Sequence, residues 1–360
     1  MFIQNISGGD TAIDMFYLLA PRHIPGNSII ESWTISNFRE DPVNTAPDAA
    51  VTNSELAAVV GRYVGRLPHP GTSVAARQKQ TEDAAHDEFC HIERVNHEAP
   101  AVFVRMVYAA RSILLTEVDR APSRCPEAPA LIDRALGDLA VCLAGGAAGS
   151  AQYVTAWDPA RETRPTQRRW ILGHQLFATL TQGLILAFQA LARALRAGNS
   201  PDIRRWADLA SSLFRGSAAA MQFTADFPEE EYRDIIRPSM MPPATPVCLS
   251  GLMSADHKYL VKTLLDMRPA LQALREQDAA RHDRLHEELG VVYDQHIHVC
   301  HRFVGNEPSL LTAGRTEKSG PDLLRQFRAL RLRSLEHEPH RNGWFPVAKS
   351  DPESRCPVHK

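Results

Sequence analysis

The run RWILGHQLFATLTQGLILAFQALARALRAGNS, from Arg169 to Ser200, constrains the fold more than any other stretch. It is apolar nearly all round, and a helix of that kind belongs inside a protein core. Gln175, Thr179, Thr181, Gln182 and Gln189 make it too polar for a lipid-facing span. Gly198 and Asn199 supply a stop signal. A buried core helix of this length requires other helices around it, and the flanking text provides them. The segment from Thr81 to Val118 reads as two helices, or one kinked at Pro100, because proline removes a helical hydrogen bond. Further helices are expected over residues 129–145, from Ser200 onward, over 256–304, and over 320–337. A proline-rich loop, RPSMMPPATPVCLSGLMSADHK, interrupts them. Strand signals are few and no period of 20–50 residues repeats. The expected class is all-α: an irregular N-terminal extension over 1–80, one helical domain over 81–340, and a tail over 341–360.

Bulk composition narrows the function. The 360 residues are 44% hydrophobic and 23% charged, with a formal net charge of -2. Such a balance asks for neither nucleic acid nor an anionic membrane as partner. The opening MFIQNISGGDTAIDMF lacks a basic region followed by an apolar one, so no signal peptide and a cytoplasmic location are expected. Six scattered cysteines in such a chain predict no disulfides, and no C-x-x-C is present.

The chemistry concentrates in VVYDQHIHVCHRFVG, Val291 to Gly305, where His296, His298, Cys300 and His301 fall close together. On a helix each residue advances by about 100°, so His296 and Cys300 share a face while His298 and His301 point elsewhere. Two convergent side chains are too few for a structural zinc site. One imidazole with a thiol one turn along suits a flat cofactor, the imidazole toward a central iron and the thiol toward a porphyrin edge. From these residues alone, a haem site, a non-haem metal site and a helical scaffold without cofactor all stay open.

Three segments in order bear a family likeness. HIHVCHRFVG resembles the proximal-ligand segment of the tryptophan dioxygenase superfamily, with His296, Arg302, Val304 and Gly305 at matching offsets. NHEAPAVFVRMV is similar to its distal helix and sets His97 at the distal histidine. SGLMSADHKYL is similar to its S-G-F-Q-S loop through Ser250, Gly251 and Ser254, with Lys258 where the family holds the substrate carboxylate by arginine. Residues 258–295, 38 in number, separate His257 from His296, and Cys300 follows. That H-x38-H-x-x-x-C pattern resembles the signature of haem-dependent hydroxylases of tyrosine-type substrates, the 3-methyl-L-tyrosine hydroxylases of saframycin-type antibiotic pathways above all.

The resemblance implies a tryptophan dioxygenase-like helical bundle around haem, ligated by His257 and His296 and joined to Cys300 by one thioether. It implies ring hydroxylation of tyrosine or 3-methyl-L-tyrosine to a catechol, using hydrogen peroxide, or oxygen with an external reductant. His97 becomes the expected distal acid–base, and Ser250, Ser254, Lys258 and Arg315 the expected substrate contacts. His257, read as lying on a mobile loop, becomes a ligand that can leave the iron. A homo-oligomer is also implied. The chain departs from the family at GRTEKSG (314–320), which stands in for G-T-G-G-S-S-G. An indole-cleaving dioxygenase is the alternative at the same haem. His86 and His91 are expected to be surface residues.

Overall fold

The computed structural model describes residues 15–37, 82–120, 123–144, 166–305 and 319–335, with Val60, Val64, Gly65 and Leu67 besides. Its longest element is the expected core helix, α5 (Thr166–Ala197), preceded in the chain by β1 (Phe16–Leu19), α1 (Asn27–Asn37), α2 (Glu82–Phe89), β2 (Ile92–Val95), α3 (Pro100–Arg120) and α4 (Glu127–Leu143). After it come α6 (Ser200–Thr224), α7 (Ala255–Asp266), α8 (Arg268–Gln277), α9 (Ala279–Val304) and α10 (Gly320–Leu335). Residues 229–239 form a short helical passage containing a π turn at Tyr232–Ile236. The class is all-α, as expected.

By length and composition α5 could cross a membrane, but 89% of its most apolar window is buried inside the protein. It turns at Gly198, whose φ of 65° suits glycine, and packs along α6. Asn199 caps α6 by accepting from the Asp202 N–H at 3.3 Å. The interior is filled by Phe103, Phe188, Trp206, Phe214 and Phe223. Gly216 lets α6 lie close to α4, since a Cβ there would meet Ala135 Cβ at 2.5 Å. Arg111 and Asp133 pair at 2.6 Å between α3 and α4, both almost fully buried.

Two details depart from expectation. The segment around Pro100 is neither a kinked helix nor two abutting ones. α2 ends at Phe89, β2 intervenes, and Pro100 opens α3, where its missing N–H costs nothing. β2 pairs in parallel with β1, Phe16 opposite Ile92 and Leu19 opposite Val95. The described part of the N-terminal extension therefore holds short elements that join the main core, Leu18, Leu19 and Ile30 included. The described residues also include one disulfide-bonded cysteine, Cys248, against the expectation of none; scattered spacing does not reveal which cysteines the fold brings together.

Candidate active site

A cavity, partly open to solvent, lies among α5, α6, α7, α9 and the turn Gly251–Met253. Its wall is apolar, built of side chains such as Phe177, Leu184, Phe214, Leu260 and Leu264. Three imidazoles interrupt that wall: His174 from α5, His257 from α7 and His296 from α9. No Asp, Glu, Lys or Arg lines it among the described residues.

Burial lowers the pKa of all three histidines to about 4. Neighbouring positive charge adds to the effect at His174, from His86, and at His257, from Arg331. All three are neutral near pH 7, the form with a lone pair to offer a metal or a proton. Two are oriented by the backbone. His174 Nδ1 donates to the Trp170 carbonyl at 2.8 Å, leaving Nε2 as the acceptor. His257 is hydrogen-bonded to the backbone of Leu252. Engaging one ring nitrogen in this way fixes the tautomer and ring direction of a ligating histidine.

His257 is in the first turn of α7, not on a mobile loop, because Ser254 supplies the helix cap. Ser254 Oγ accepts from the His257 backbone N–H at 3.5 Å, and Ser250 Oγ accepts from Leu252 N–H at 3.4 Å. Both serines, expected as substrate contacts, are caps and do not line the cavity. Lys258 is exposed and paired with Asp83 outside the cavity. Its position next to His257 turns it to the outer face of the helix. Arg315 lies outside the described residues.

His97 is exposed in the bend before α3 and does not line the cavity. The expected distal position is not reached because β2 and this bend, rather than a continuous helix, carry it. His86, expected at the surface, is 4% exposed and sits 3.9 Å from Cys90 Sγ, its ring 6.0 Å from that of His174. Burial opposes its charge, but Cys90 and Asp87 beside it raise its pKa to about 10. Sequence reasoning missed His174; its only signal was a histidine interrupting an apolar helix.

On α9 the helical-face argument holds. His298 and His301 are exposed, whereas His296 faces the cavity. Cys300, one turn beyond His296 and directly after the lining residue Val299, does not itself line the cavity, and its Sγ is so close to Gly320 that a Cβ there would meet it at 2.6 Å. Burial pushes this thiol up to about 11. Arg302 donates to the Ala225 carbonyl at 2.9 Å and to that of Phe227, and so ties the end of α9 to the end of α6. Phe303 stacks on Tyr232 with centroids 4.6 Å apart. Among the described residues no group of three or more His, Cys, Asp or Glu is placed to hold a bare metal ion. Neutral imidazoles in a roomy apolar wall fit a large, flat, metal-bearing cofactor instead.

Fold and site together define an all-helical protein whose apolar cavity carries three histidines. The family model described as SfmD 3-methyl-L-tyrosine peroxygenase matches residues 18–286. The chain belongs to that family. The 3-methyl-L-tyrosine peroxygenase of Streptomyces lavendulae, an oxidoreductase by its name, is 38% identical over 173 residues. That match covers 48% of this chain and 47% of the relative, about half the length of each. A crystal structure of reduced SfmD, obtained by soaking with sodium hydrosulfite, superposes with a TM-score of 0.69 at 28% identity. The superposition covers 80% of this chain and 98% of that one.

Proposed function

We propose that this chain is a haem-dependent aromatic hydroxylase that adds one oxygen ortho to the phenol of 3-methyl-L-tyrosine or tyrosine, giving a catechol. The observation that carries the reading is the set of three neutral imidazoles in a cavity wall that has no Asp, Glu, Lys or Arg among the described residues. His296 and His257 would hold the iron, and Cys300 would tether the porphyrin edge. The named relative, a peroxygenase, supports hydrogen peroxide as oxidant: one peroxide oxygen enters the ring C–H bond and the other leaves as water. Haem, when bound, supplies the activation of that oxidant.

The protein's own residues do the rest. Ser254 caps the turn that carries His257 and sets its direction. Leu260, Leu264 and Phe214 exclude water and receive an aromatic ring. His174, with Nδ1 engaged by Trp170 and Nε2 unprotonated, takes the acid–base role expected of His97: it accepts a proton from the phenol or from peroxide. Likeness to the tryptophan dioxygenases belongs to this reading, as does a homo-oligomeric assembly.

The test is a product assay. Protein from haem-supplemented cells is given tyrosine, 3-methyl-L-tyrosine and tryptophan, each with hydrogen peroxide or with oxygen and a reductant. Catechol carrying one added oxygen from either phenol is the expected product. Tryptophan turned over with two added oxygens, and no catechol, would replace this reading with an indole dioxygenase.

A further inference from the structure

The ligands proposed for the cavity, haem and an amino acid, both carry carboxylates, and no charged side chain lines the wall among the described residues. A carboxylate taken from water needs a donor or a buried countercharge. Tyr293 meets the first need. It is the phenol in the cavity wall, 8% exposed, and it stands three residues before His296 on α9. Arg331 on α10 meets the second. It is 5% exposed and hydrogen-bonded to Tyr293, and its charge is felt at both Tyr293 and His257. A guanidinium can only donate, so the phenol oxygen accepts from it and the phenol O–H is left to turn toward a cavity ligand.

We propose that Tyr293, held by Arg331, receives a carboxylate in this cavity, the phenol donating and the buried guanidinium behind it supplying compensating charge. Arg331 is a positioning residue here, acting through Tyr293. The inference rests on reading the cavity as a site for haem and an amino acid. The carboxylate is that of the amino acid or a haem propionate, and paired ligands separate the two.

Full-length wild type, Tyr293→Phe and Arg331→Met are purified from haem-supplemented cells. 3-Methyl-L-tyrosine and its decarboxylated amine are titrated in while the haem absorption is followed. Haem and its dimethyl ester are titrated into the same proteins from unsupplemented cells. In one of the two pairs, both variants are expected to bind the carboxylate-bearing member about tenfold or more weakly and the carboxylate-free member as wild type does. Loss in the first pair assigns the amino acid, and loss in the second assigns the propionate. Equal effects on both members of each pair, or no effect, with a wild-type circular dichroism spectrum, overturn the proposal alone. A wild type that binds neither haem nor the amino acid overturns the reading of the cavity and this proposal with it. If Arg331→Met fails to fold, Arg331→Lys and Tyr293→Phe carry the same comparison.

Discussion

Arg94 on β2 grips Asp256 at 2.8 Å, and Asp256 is the residue immediately before His257. Asp256 is fully buried, and Gln182 of the core helix donates to it at 2.8 Å and to the Leu19 carbonyl at 2.7 Å. Arg94 also holds Asp87 through two bonds, at 2.7 and 2.8 Å. One guanidinium thus joins α2, β2 and the start of α7, so the small β1–β2 ladder serves the site by anchoring His257.

Removing that guanidinium leaves a buried carboxylate without its cation. Arg94→Met is expected to destabilise the protein by about 3–5 kcal/mol, read from urea unfolding. Gln182→Ala, which removes one neutral donor, is expected to cost roughly 1–3 kcal/mol. A variant of Arg94 as stable as wild type would show that the anchor contributes little.

Acid acts on the same region. Burial would raise the Asp87 pKa, but hydrogen bonds from Arg94 and the positive charge of His86, 3.9 Å away, hold it below the ordinary value. His174 is held down to about 4 by burial, with His86 adding repulsion. The unfolded histidine takes its proton near pH 6.5 and the folded one only near 4. His174 therefore leaves stability intact above about pH 6.5 and withdraws up to about 3 kcal/mol as pH falls toward 4. Unfolding of haem-free protein between pH 7 and 4.5 should show a shallower decline in His174→Gln. An unchanged slope would mean that His174 already titrates normally in the fold.

The sequence made the helices and their stops legible wherever the signal is local. Gly198 and Asn199 end α5, Pro201 sits in the first turn of α6, and 100° geometry separates His296 and Cys300 from His298 and His301. What was not legible depends on contacts between distant parts. β1 and β2 are four residues each and meet only because the helical body holds residues 16 and 92 together. Ser250 and Ser254 match a substrate loop by pattern, but their side chains are consumed as helix caps. His174 reads as one polar residue in an apolar helix until α7 and α9 bring two more imidazoles to the same cavity. His97 sits where a pattern wants it in the chain and where the fold leaves it in solvent.

Gly320 tests the setting of Cys300. Alanine at this position brings a Cβ to 2.6 Å from Sγ, with the first turn of α10 pressed against α9. Gly320→Ala is expected to cost about 1–3 kcal/mol and to lower the share of protein carrying a thioether, read by thermal unfolding and intact mass. In haem-free protein the thiol, pushed up to about 11 by burial, should resist iodoacetamide at pH 8. Rapid labelling of Cys300, a half-buried thiol, under those conditions would contradict its raised pKa.

The four residues of the HIHVCH run divide by face. His298→Ala and His301→Ala should retain haem and unfold within about 0.5 kcal/mol of wild type, as exposed substitutions do. His296→Ala should lose most of its haem absorbance. Retention by His296→Ala together with loss by either exposed variant would invert the assignment.

The central claim is that the cavity holds haem, tethered at Cys300. The direct measurement is the absorption spectrum of protein from haem-supplemented cells, followed by its intact mass after acid denaturation, beside Cys300→Ala. The account predicts two red proteins, with the mass of one haem retained on the wild type and absent from the variant. A red wild type without the added mass would remove the tether and keep the haem. A colourless wild type without the added mass would contradict the account.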